Sequence, residues 1–301
     1  MIRNFLNLMD LKKDNINKIL LRASELKKNK SKKKSLKDVN LAMIFEKPST
    51  RTRVSFELAI QELGGRSIVL NETSTQLARG ETVADTARVL SKYCQIFMVR
   101  TNDHKKLIEY SKNAKLPVIN GLSNISHPCQ ILADILTLKE KLGDLKKKRV
   151  TWLGDLNNVL YSWAEASLVF GFDLVVAHPK SISANKNLKD LLKNKDKSIT
   201  FTNDAKEACK KSDCLVTDTW FSMGKKESNR EKKIFDKYQV NMNKFKLANK
   251  NAFFLHCLPA TRGQEVTSDV IDNSKISLVW QEAENRLHVQ KAILEWCLKK
   301  I

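Results

Sequence analysis

The chain has 301 residues, with 54 Lys or Arg against 33 Asp or Glu, so its formal net charge is +21. This length allows two domains of about 150 residues, each with its own hydrophobic core. Hydrophobic residues make up 42% and charged residues 29% of the chain, a globular composition that excludes an intrinsically disordered protein.

Short β-branched or aromatic runs alternate with segments of helical periodicity, which is the pattern of an α/β fold with parallel sheets. A helical stripe at Phe56, Ala59, Ile60 and Leu63 follows the first of these runs, and Pro128 suits the first position of another helix. A terminal helix is predicted over 282–301. The strands are predicted over residues 41–45, 67–70, 95–99, 117–119, 150–154, 173–177, 199–202, 214–217, 252–255 and 276–279.

A polar stretch at 139–149 ends at a predicted strand, which suggests a boundary between two domains. We predict a first domain over 1–138 and a second over 147–281, each carrying four or five strands. Periodicity alone does not say which of them the terminal helix joins.

No apolar run approaches the ~18 residues that a membrane-spanning helix needs, and the N-terminal segment lacks the features of a signal peptide. The six cysteines are too few and too scattered for a disulfide framework, so we expect free thiols. Cys209 and Cys214 have no histidine beside them, so no zinc site is expected there. These features predict a cytoplasmic protein with no membrane partner.

The excess positive charge is gathered in lysine clusters at 27–34, 146–149 and 186–197. A basic nucleic-acid binder is therefore the competing function class. Grooves that bind single strands combine basic residues with aromatic side chains on which bases stack, and these clusters contain no aromatic residue. The pattern favours a solvated surface, and we expect no nucleic-acid partner.

The first candidate site is the segment 47–53, Lys-Pro-Ser-Thr-Arg-Thr-Arg, between the strand 41–45 and the following helix. Helix N-terminal N–H groups, together with Ser/Thr hydroxyls and Arg, form a cradle for phosphate. Two simpler roles stay open. Ser49 or Thr50 could serve only as an N-cap, and Arg53 could pair with Glu57 one helical turn later.

A second candidate is the segment 126–130, Ser-His-Pro-Cys-Gln, at the start of another helix. His127 could donate to an oxygen held there, and Gln130 offers an amide. The alternative is a capping His127 with a buried Cys129. Arg100 follows the strand 95–99, and ligands of parallel sheets bind outside such strand ends.

Three strand ends in the second half carry further candidates. The segment 154–158 contains one glycine and lacks the G-x-G-x-x-G pattern, so its Asn residues would hold a small polar ligand rather than a dinucleotide. Asp218 could accept a hydrogen bond from an ammonium group, or be a turn residue. Cys257, beside His256, could supply thiolate chemistry, or be a structural thiol.

Together these segments resemble the aspartate/ornithine carbamoyltransferases, and most closely the ornithine-specific members of that family. The chain departs from the usual ornithine pattern at Leu156, where glycine is usual, and at Thr261. The matching pieces follow the family's order over nearly the whole chain, at Gln76 and at 49–53, 80–81, 85–90, 100–101, 127–130, 157–158, 218–220, 222–224, 256–259 and 284–286.

The resemblance implies an α/β protein of two doubly wound parallel-sheet domains with the active site in the cleft between them. It implies that a last helix, 284–301, joins the first domain. The implied reaction transfers the carbamoyl group of carbamoyl phosphate to the δ-amine of L-ornithine, giving L-citrulline and phosphate, in arginine biosynthesis. We expect no metal and no organic cofactor, because carbamoyl phosphate is already activated, and we expect a homo-oligomer built from trimers.

The resemblance also implies the site residues, with a catalytic set of Arg51, Arg100, His127, Asp218 and Cys257. An aspartate site would need cations for two carboxylates, and the aspartate enzymes place Arg after His-Pro-Leu-Pro, where this chain has Ala260. Ornithine is implied to bind Asn158, Asp218, Ser222, Met223, Cys257 and Leu258. Carbamoyl phosphate is implied to bind Ser49, Thr50, Arg51, Thr52, Gln76, Arg100, His127, Gln130 and Arg286.

Overall fold

The computed structural model describes residues 2–28, 34–193, 198–221 and 233–301. The chain divides into two compact units, one formed by Met1–Leu136 with Glu284–Ile301 and the other by Thr137–Ala283. Among the described residues, no helix combines the length and the apolar character needed to cross a membrane.

The first unit is built on a four-stranded sheet in which every neighbouring pair is parallel, in the order β2-β1-β3-β4. Its strands are β1 (Asn40–Phe45), β2 (Arg66–Asn71), β3 (Ile96–Arg100) and β4 (Val118–Leu122). Its helices are α1 (Lys13–Lys28), α2 (Thr50–Glu62), α3 (Val83–Leu90), α4 (His104–Asn113), the first part of α5 (Pro128–Leu142) and the last part of the C-terminal helix (Val279–Cys297).

Apolar periodicity accounts for the way these helices cover the sheet. The predicted stripe of α2 is buried along its whole length, and α5 begins at Pro128, as predicted. Alternate residues of the strands, including Ile44, Phe97 and Val118, form a cluster with Leu107 of α4. Burying such side chains supplies the main favourable free energy of this unit.

The second unit has a five-stranded parallel sheet in the order β7-β6-β5-β8-β9. Its strands are β5 (Arg149–Leu153), β6 (Asp173–Ala177), β7 (Ile199–Thr202), β8 (Cys214–Thr217) and β9 (Phe253–His256). Its helices include α6 (Asn158–Phe170), α7 (Lys186–Leu192), α8 (Ala205–Cys209) and two short ones, Met242–Phe245 and Ser268–Ile271.

Nine of the predicted strands are present, and the tenth, at 276–279, is wrong. Ser277 forms only an isolated bridge with Phe254, and the C-terminal helix begins at Val279. A short apolar run fits a buried strand and a buried helix turn equally well, so this run did not distinguish them. The predicted start of the helix at 282 was correspondingly late.

Both sheets contain a topological switch point, where the chain reverses the side on which it adds strands. The switch lies between β1 and β3 in the first unit and between β5 and β8 in the second. Ligands of such sheets bind beyond the carboxyl ends of the strands at this point. The residues that follow these four strands are therefore the first place to look for a site in each unit.

Candidate active site

The loop after β1 leads into α2 and borders a cavity of about 540 Å³. Ser49 occupies the N-cap position of α2 with an extended backbone, but its side chain makes no capping hydrogen bond. The N-cap alternative therefore describes the backbone of Ser49 and not the use of its hydroxyl. Ser49, Thr50 and Lys47 line the cavity, together with Thr73 beyond the end of β2.

The segment also contains two arginines, and one of them, Arg53, lines the cavity. Arg53 lies in an ion pair with Glu57, Nε to Oε1 at 3.3 Å, so the simpler alternative for Arg53 is the one observed. Arg51 is exposed, and its assignment to carbamoyl phosphate stays a prediction.

Four predicted residues from four different elements form one cluster, in which Arg100 is half-buried and the other three are buried. Thr52 of α2 is 1% exposed, and its Oγ1 accepts hydrogen bonds from Arg286 Nη2 at 2.9 Å and Arg100 Nη1 at 3.3 Å. Arg286 also donates from Nη1 to Gln130 Oε1 at 3.0 Å. Two guanidinium groups thus meet at one hydroxyl oxygen, so the cluster brings two positive charges together, as an anion-binding site does.

His127 lies directly before α5 and is 4% exposed. Burial, followed by the charges of Arg286 and Arg100, holds the pKa of His127 well below its usual value of 6.5. The imidazole is therefore neutral at pH 7 and offers one N–H as a hydrogen-bond donor. A neutral donor of this kind suits a carbonyl oxygen on which charge develops.

The alternative of a buried cysteine holds for Cys129. Its thiol donates to the backbone oxygen of Asn120 at 3.3 Å, and burial raises the pKa of Cys129 to about 12. This thiol is therefore protonated and serves packing rather than nucleophilic chemistry.

Gln76 is not part of the buried cluster. It is exposed, in the 3₁₀ turn Gln76–Arg79, and among the described residues its side chain makes no hydrogen bond to the other predicted groups. Its role stays a prediction.

In the second unit, the carboxylate of Asp218 joins the loops that follow three strands. Its Oδ2 accepts from Asn157 Nδ2 at 2.8 Å, and its Oδ1 accepts from Cys257 Sγ at 3.2 Å. Oδ1 also accepts from the backbone N–H of Thr219 at 2.8 Å. Asp218 is thus a turn residue and, at the same time, the centre of a polar cluster at the switch point.

His256 fixes the loop that carries Cys257. Its Nδ1 accepts from the backbone N–H of Leu258 at 2.9 Å, so its proton lies on Nε2, which faces Glu265 Oε1 at 3.2 Å. Glu265 Oε1 also accepts from the N–H of Thr261 at 2.5 Å. Leu258 has a positive φ of 57° and precedes a cis peptide bond to Pro259. Adjacent in sequence, His256 and Cys257 have different partners.

The donor set of Asp218, His256 and Cys257 has its potential ligand atoms within 4.8 Å of one another. Both ring nitrogens of His256 are, however, already committed to Leu258 and Glu265. A metal ion would have to displace one of these buried hydrogen bonds, so the set is poorly arranged for a metal.

The turn after β5 accommodates Leu156 without glycine. Leu156 is buried and does not adopt a positive φ, whereas Gly154 has a φ of 136°. Side chains rarely adopt this φ, and a Cβ on Gly154 would also lie 3.3 Å from Trp220, so glycine is strongly favoured at that position. Asn158, the first residue of α6, is half-buried beside this turn, and Ser222 and Met223 lie outside the described residues.

Sequence reasoning missed Asp134 and Glu46, and it had named Asn157 only as one of the asparagines of the segment 154–158. Asp134 is buried and accepts from Gln130 Nε2 at 2.8 Å, a pairing that the i, i+4 spacing along α5 could have indicated. Asn157, rather than Asn158, contacts Asp218, and it also caps α6. Glu46, directly after β1, lies outside both clusters, and no pattern around it distinguished it from a surface acid.

Comparison with known proteins places the chain among enzymes of one family. Residues 3–140 match the model of the "aspartate/ornithine carbamoyltransferase, carbamoyl-P binding domain", and residues 146–297 match the corresponding "Asp/Orn binding domain". An ornithine carbamoyltransferase from Rhodopseudomonas palustris is 48% identical over 302 residues, covering 99% of this chain and 97% of that protein. One from Nitrobacter winogradskyi is 47% identical, with coverage of 98% and 97%.

Solved structures give the same result. The ornithine carbamoyltransferase of Pyrococcus furiosus has a TM-score of 0.94 and 45% identity, covering 99% of this chain and 98% of that one. The anabolic ornithine carbamoyltransferase of Campylobacter jejuni has a TM-score of 0.92 and 40% identity, covering 100% of both chains.

Proposed function

The chain belongs to the aspartate/ornithine carbamoyltransferase family and transfers the carbamoyl group of carbamoyl phosphate to ornithine, and we propose how its side chains divide this work. The observation that carries the proposal is the buried contact of Thr52 with Arg100 and Arg286, beside neutral His127. We assign carbamoyl phosphate to the first unit and ornithine to the second.

Carbamoyl phosphate carries its charge on the phosphoryl group and its reacting atom at the carbonyl carbon. We assign the binding of the phosphoryl oxygens to Arg51 and to the start of α2, including Ser49 and Thr50. Gln76 is assigned to the same group of oxygens. Arg100, His127 and Thr52 stabilise the carbonyl oxygen as it becomes negative, while Gln130 and Arg286 hold the carbamoyl end. Removing one donor to such an oxygen costs about 2.7 to 4 kcal/mol in the barrier.

Ornithine differs from aspartate in carrying a second ammonium group instead of a second carboxylate. The described partners of the Asp218 carboxylate are Asn157, Thr219 and Cys257, and none of them is a cation. This arrangement supports an ammonium-binding role for Asp218, which we assign to the α-ammonium of ornithine. Cys257 then orients the δ-amine, with Asn158, Ser222, Met223 and Leu258 enclosing the rest of the substrate.

The δ-amine must lose a proton before it can attack. With a lysine-like pKa near 10.4, deprotonation at pH 7 costs about 4.6 kcal/mol, from roughly 3.4 units at 1.36 kcal/mol each. The new C–N bond forms as the C–O bond to phosphate breaks, and one of the two protons of the attacking amine passes to the leaving phosphate, directly or through Cys257, while the other stays on the ureido nitrogen. The products are citrulline and phosphate.

Three further properties belong to the proposal. The anabolic relative from Campylobacter jejuni supports a place in arginine biosynthesis, and six free thiols support the cytoplasm. Exposed apolar side chains on the first unit support a homotrimer, which ultracentrifugation would detect as three times 34.4 kDa. These side chains are Val54, Leu58, Ile68, Val89 and Tyr93.

The decisive experiment supplies purified protein and carbamoyl phosphate with ornithine, aspartate, putrescine or N-acetylornithine in parallel, and identifies the ureido product. We expect citrulline from ornithine and no comparable product from the other three. A preference for another amine would overturn the assignment of Asp218 and Cys257 to ornithine.

A further inference from the structure

Glu46 is the first residue after β1 and stands at the entrance of the loop that leads into α2. Its carboxylate accepts three hydrogen bonds. Oε2 accepts from Thr101 Oγ1 at 2.6 Å and from the backbone N–H of Asn102 at 2.8 Å, and Oε1 accepts from Lys106 Nζ at 2.8 Å. The backbone N–H of Glu46 also donates to the oxygen of Arg100 at 3.0 Å. Side chain and backbone together tie the end of β1 to the end of β3 across the switch point.

Lys106 extends this network to a third segment. Its Nζ also lies 3.1 Å from Oε1 of Glu72, and these two acids, Glu46 above all, raise the pKa of Lys106. Glu72 begins the segment that carries Thr73, which lines the cavity, and Gln76. Lys106 of α4 therefore links three segments in one ionic network. They are the loop before α2, the residues that follow Arg100 and the segment 72–79.

The charge of this network argues against a direct role in binding an anion. Two carboxylates share one ammonium group, so the three side chains together contribute about one negative charge beside the cavity. A negative charge near a phosphate site weakens phosphate binding. The side chain of Glu46 is nevertheless only 10% exposed and saturated with hydrogen bonds, which is the environment of a group that holds neighbouring segments in place.

We propose that Glu46 is a positioning residue for carbamoyl phosphate, acting through the loop before α2 and through Arg100. This inference rests on the proposed function. The proposed hydrogen-bond donors to the phosphoryl group follow β1, on one side of the switch point. Arg100, the proposed donor to the carbonyl oxygen, ends β3 on the other side. Glu46 fixes the spacing between them, so both sets of donors reach the two ends of one small substrate.

The substitution Glu46→Gln tests this proposal by the sign of its effect. It retains an oxygen that can accept from Thr101 and Asn102 but removes the ion pair with Lys106. If Glu46 acted only through its charge, the variant would bind phosphate more tightly. If Glu46 is a positioning residue, the dissociation constant of inorganic phosphate and the KM of carbamoyl phosphate rise roughly tenfold, the size expected for losing one charge-assisted hydrogen bond.

The measurements are a calorimetric titration with inorganic phosphate and steady-state kinetics with each substrate varied in turn. The KM for ornithine is expected to stay within about twofold, because its proposed ligands lie in the second unit, and only a small change is expected from a group outside that contact set. An equal rise in the KM values of carbamoyl phosphate and ornithine would show that Glu46 has only a structural role and would overturn the proposal. Unchanged or tighter phosphate binding would overturn it as well.

Lysine variants on α4 supply the controls. Lys106→Gln breaks the same network from its other side and should weaken phosphate binding similarly, whereas Lys105→Gln removes the same charge from an exposed neighbour and should have little effect. In the double variant Glu46→Gln with Lys106→Gln, the loss should not exceed that of the worse single variant, because both interrupt one interaction. Additive losses would contradict the network.

Two results keep this inference separate from the proposed function. If Glu46→Gln does not fold, the pair Lys106→Gln and Lys105→Gln still decides whether the network positions the phosphate site. If the wild-type protein binds phosphate but produces no citrulline, the proposed function fails while the phosphate titration continues to test Glu46.

Discussion

The thiol of Cys257 lies 3.2 Å from the carboxylate of Asp218, two residues 39 positions apart that meet beyond the ends of neighbouring parallel strands. The thiol donates a hydrogen bond to this carboxylate, which also accepts one from the side-chain amide of Asn157. The contact therefore orients the sulfur and the negative charge together, which is why the two residues are expected to act on one substrate.

Replacing Cys257 with Ala should lower the turnover number at least tenfold while leaving phosphate binding within about twofold, because the thiol contacts the ornithine side of the reaction. Cys257→Ser, which retains a donor to Asp218, should recover part of the loss. Cys214→Ala is the control, since this thiol is buried in β8. An unchanged turnover number in Cys257→Ala would remove the thiol from the mechanism.

Asn157 caps α6 and also donates to Asp218, and the substitution Asn157→Ser separates these two roles. Serine is an equally good N-cap for α6 but is too short to reach Asp218, so stability should be nearly unchanged while the KM for ornithine rises several-fold. Asn185→Ser is the matched control, because Asn185 caps α7 in the same unit by the same type of hydrogen bond. Ornithine kinetics that respond equally to both substitutions would refute the orienting role.

Thr52→Val removes the oxygen shared by Arg100 and Arg286 with little change of shape. The buried Arg286 and the half-buried Arg100 then lose an acceptor, at a cost of about 1 to 3 kcal/mol in the free energy of unfolding. The KM for carbamoyl phosphate should rise. Thr151→Val, which removes another buried threonine hydroxyl in β5, should lower the midpoint of urea unfolding without altering that KM.

The pH dependence of stability should carry a contribution from His127. Below pH 6.5 the unfolded chain takes up a proton at this histidine, whereas the folded protein does not, so folding is favoured less as the pH falls. This group alone should lower the free energy of unfolding by up to about 1.4 kcal/mol per pH unit as the pH falls below 6.5.

His127→Gln should show a shallower decline over the same interval in urea unfolding. His104 and His288, whose pKa values are also lowered by burial, contribute equally in both proteins and so cancel in the comparison. Parallel declines in the two proteins would mean that His127 is protonated in the folded state.

The local patterns of the sequence were sufficient for most of the fold. The stripe from Phe56 to Leu63 and the proline at 128 each specify a helix through short-range rules, and the structure follows them. The run at 276–279 failed because its pairing depends on Phe254, a residue distant in the chain, and only one bridge forms. Local propensity does not contain that information.

In the site, too, some residues could be predicted from the sequence, whereas others depend on contacts between distant parts of the chain. Resemblance indicated Arg100, Thr52, Gln130 and Arg286, and their mutual contacts bring them together in the folded unit. Glu46 was missed, and Asn157 was not linked to Asp218, because the importance of each comes from a partner across a switch point, Thr101 for Glu46 and Asp218 for Asn157. A polar residue at a strand end reveals its partner only when the order of the strands is known.

Arg286 reaches Thr52 across 234 positions of the chain. During synthesis the strands of the first sheet leave the ribosome early, but the arginine that completes the cluster beside them emerges only after every strand of the second sheet. A nascent chain can therefore form the sheet without its full complement of anion-binding groups. High affinity for carbamoyl phosphate should consequently appear only after residue 286 has been synthesised, which makes binding of that ligand a measure of how far synthesis has passed the two sheets as well as of folding.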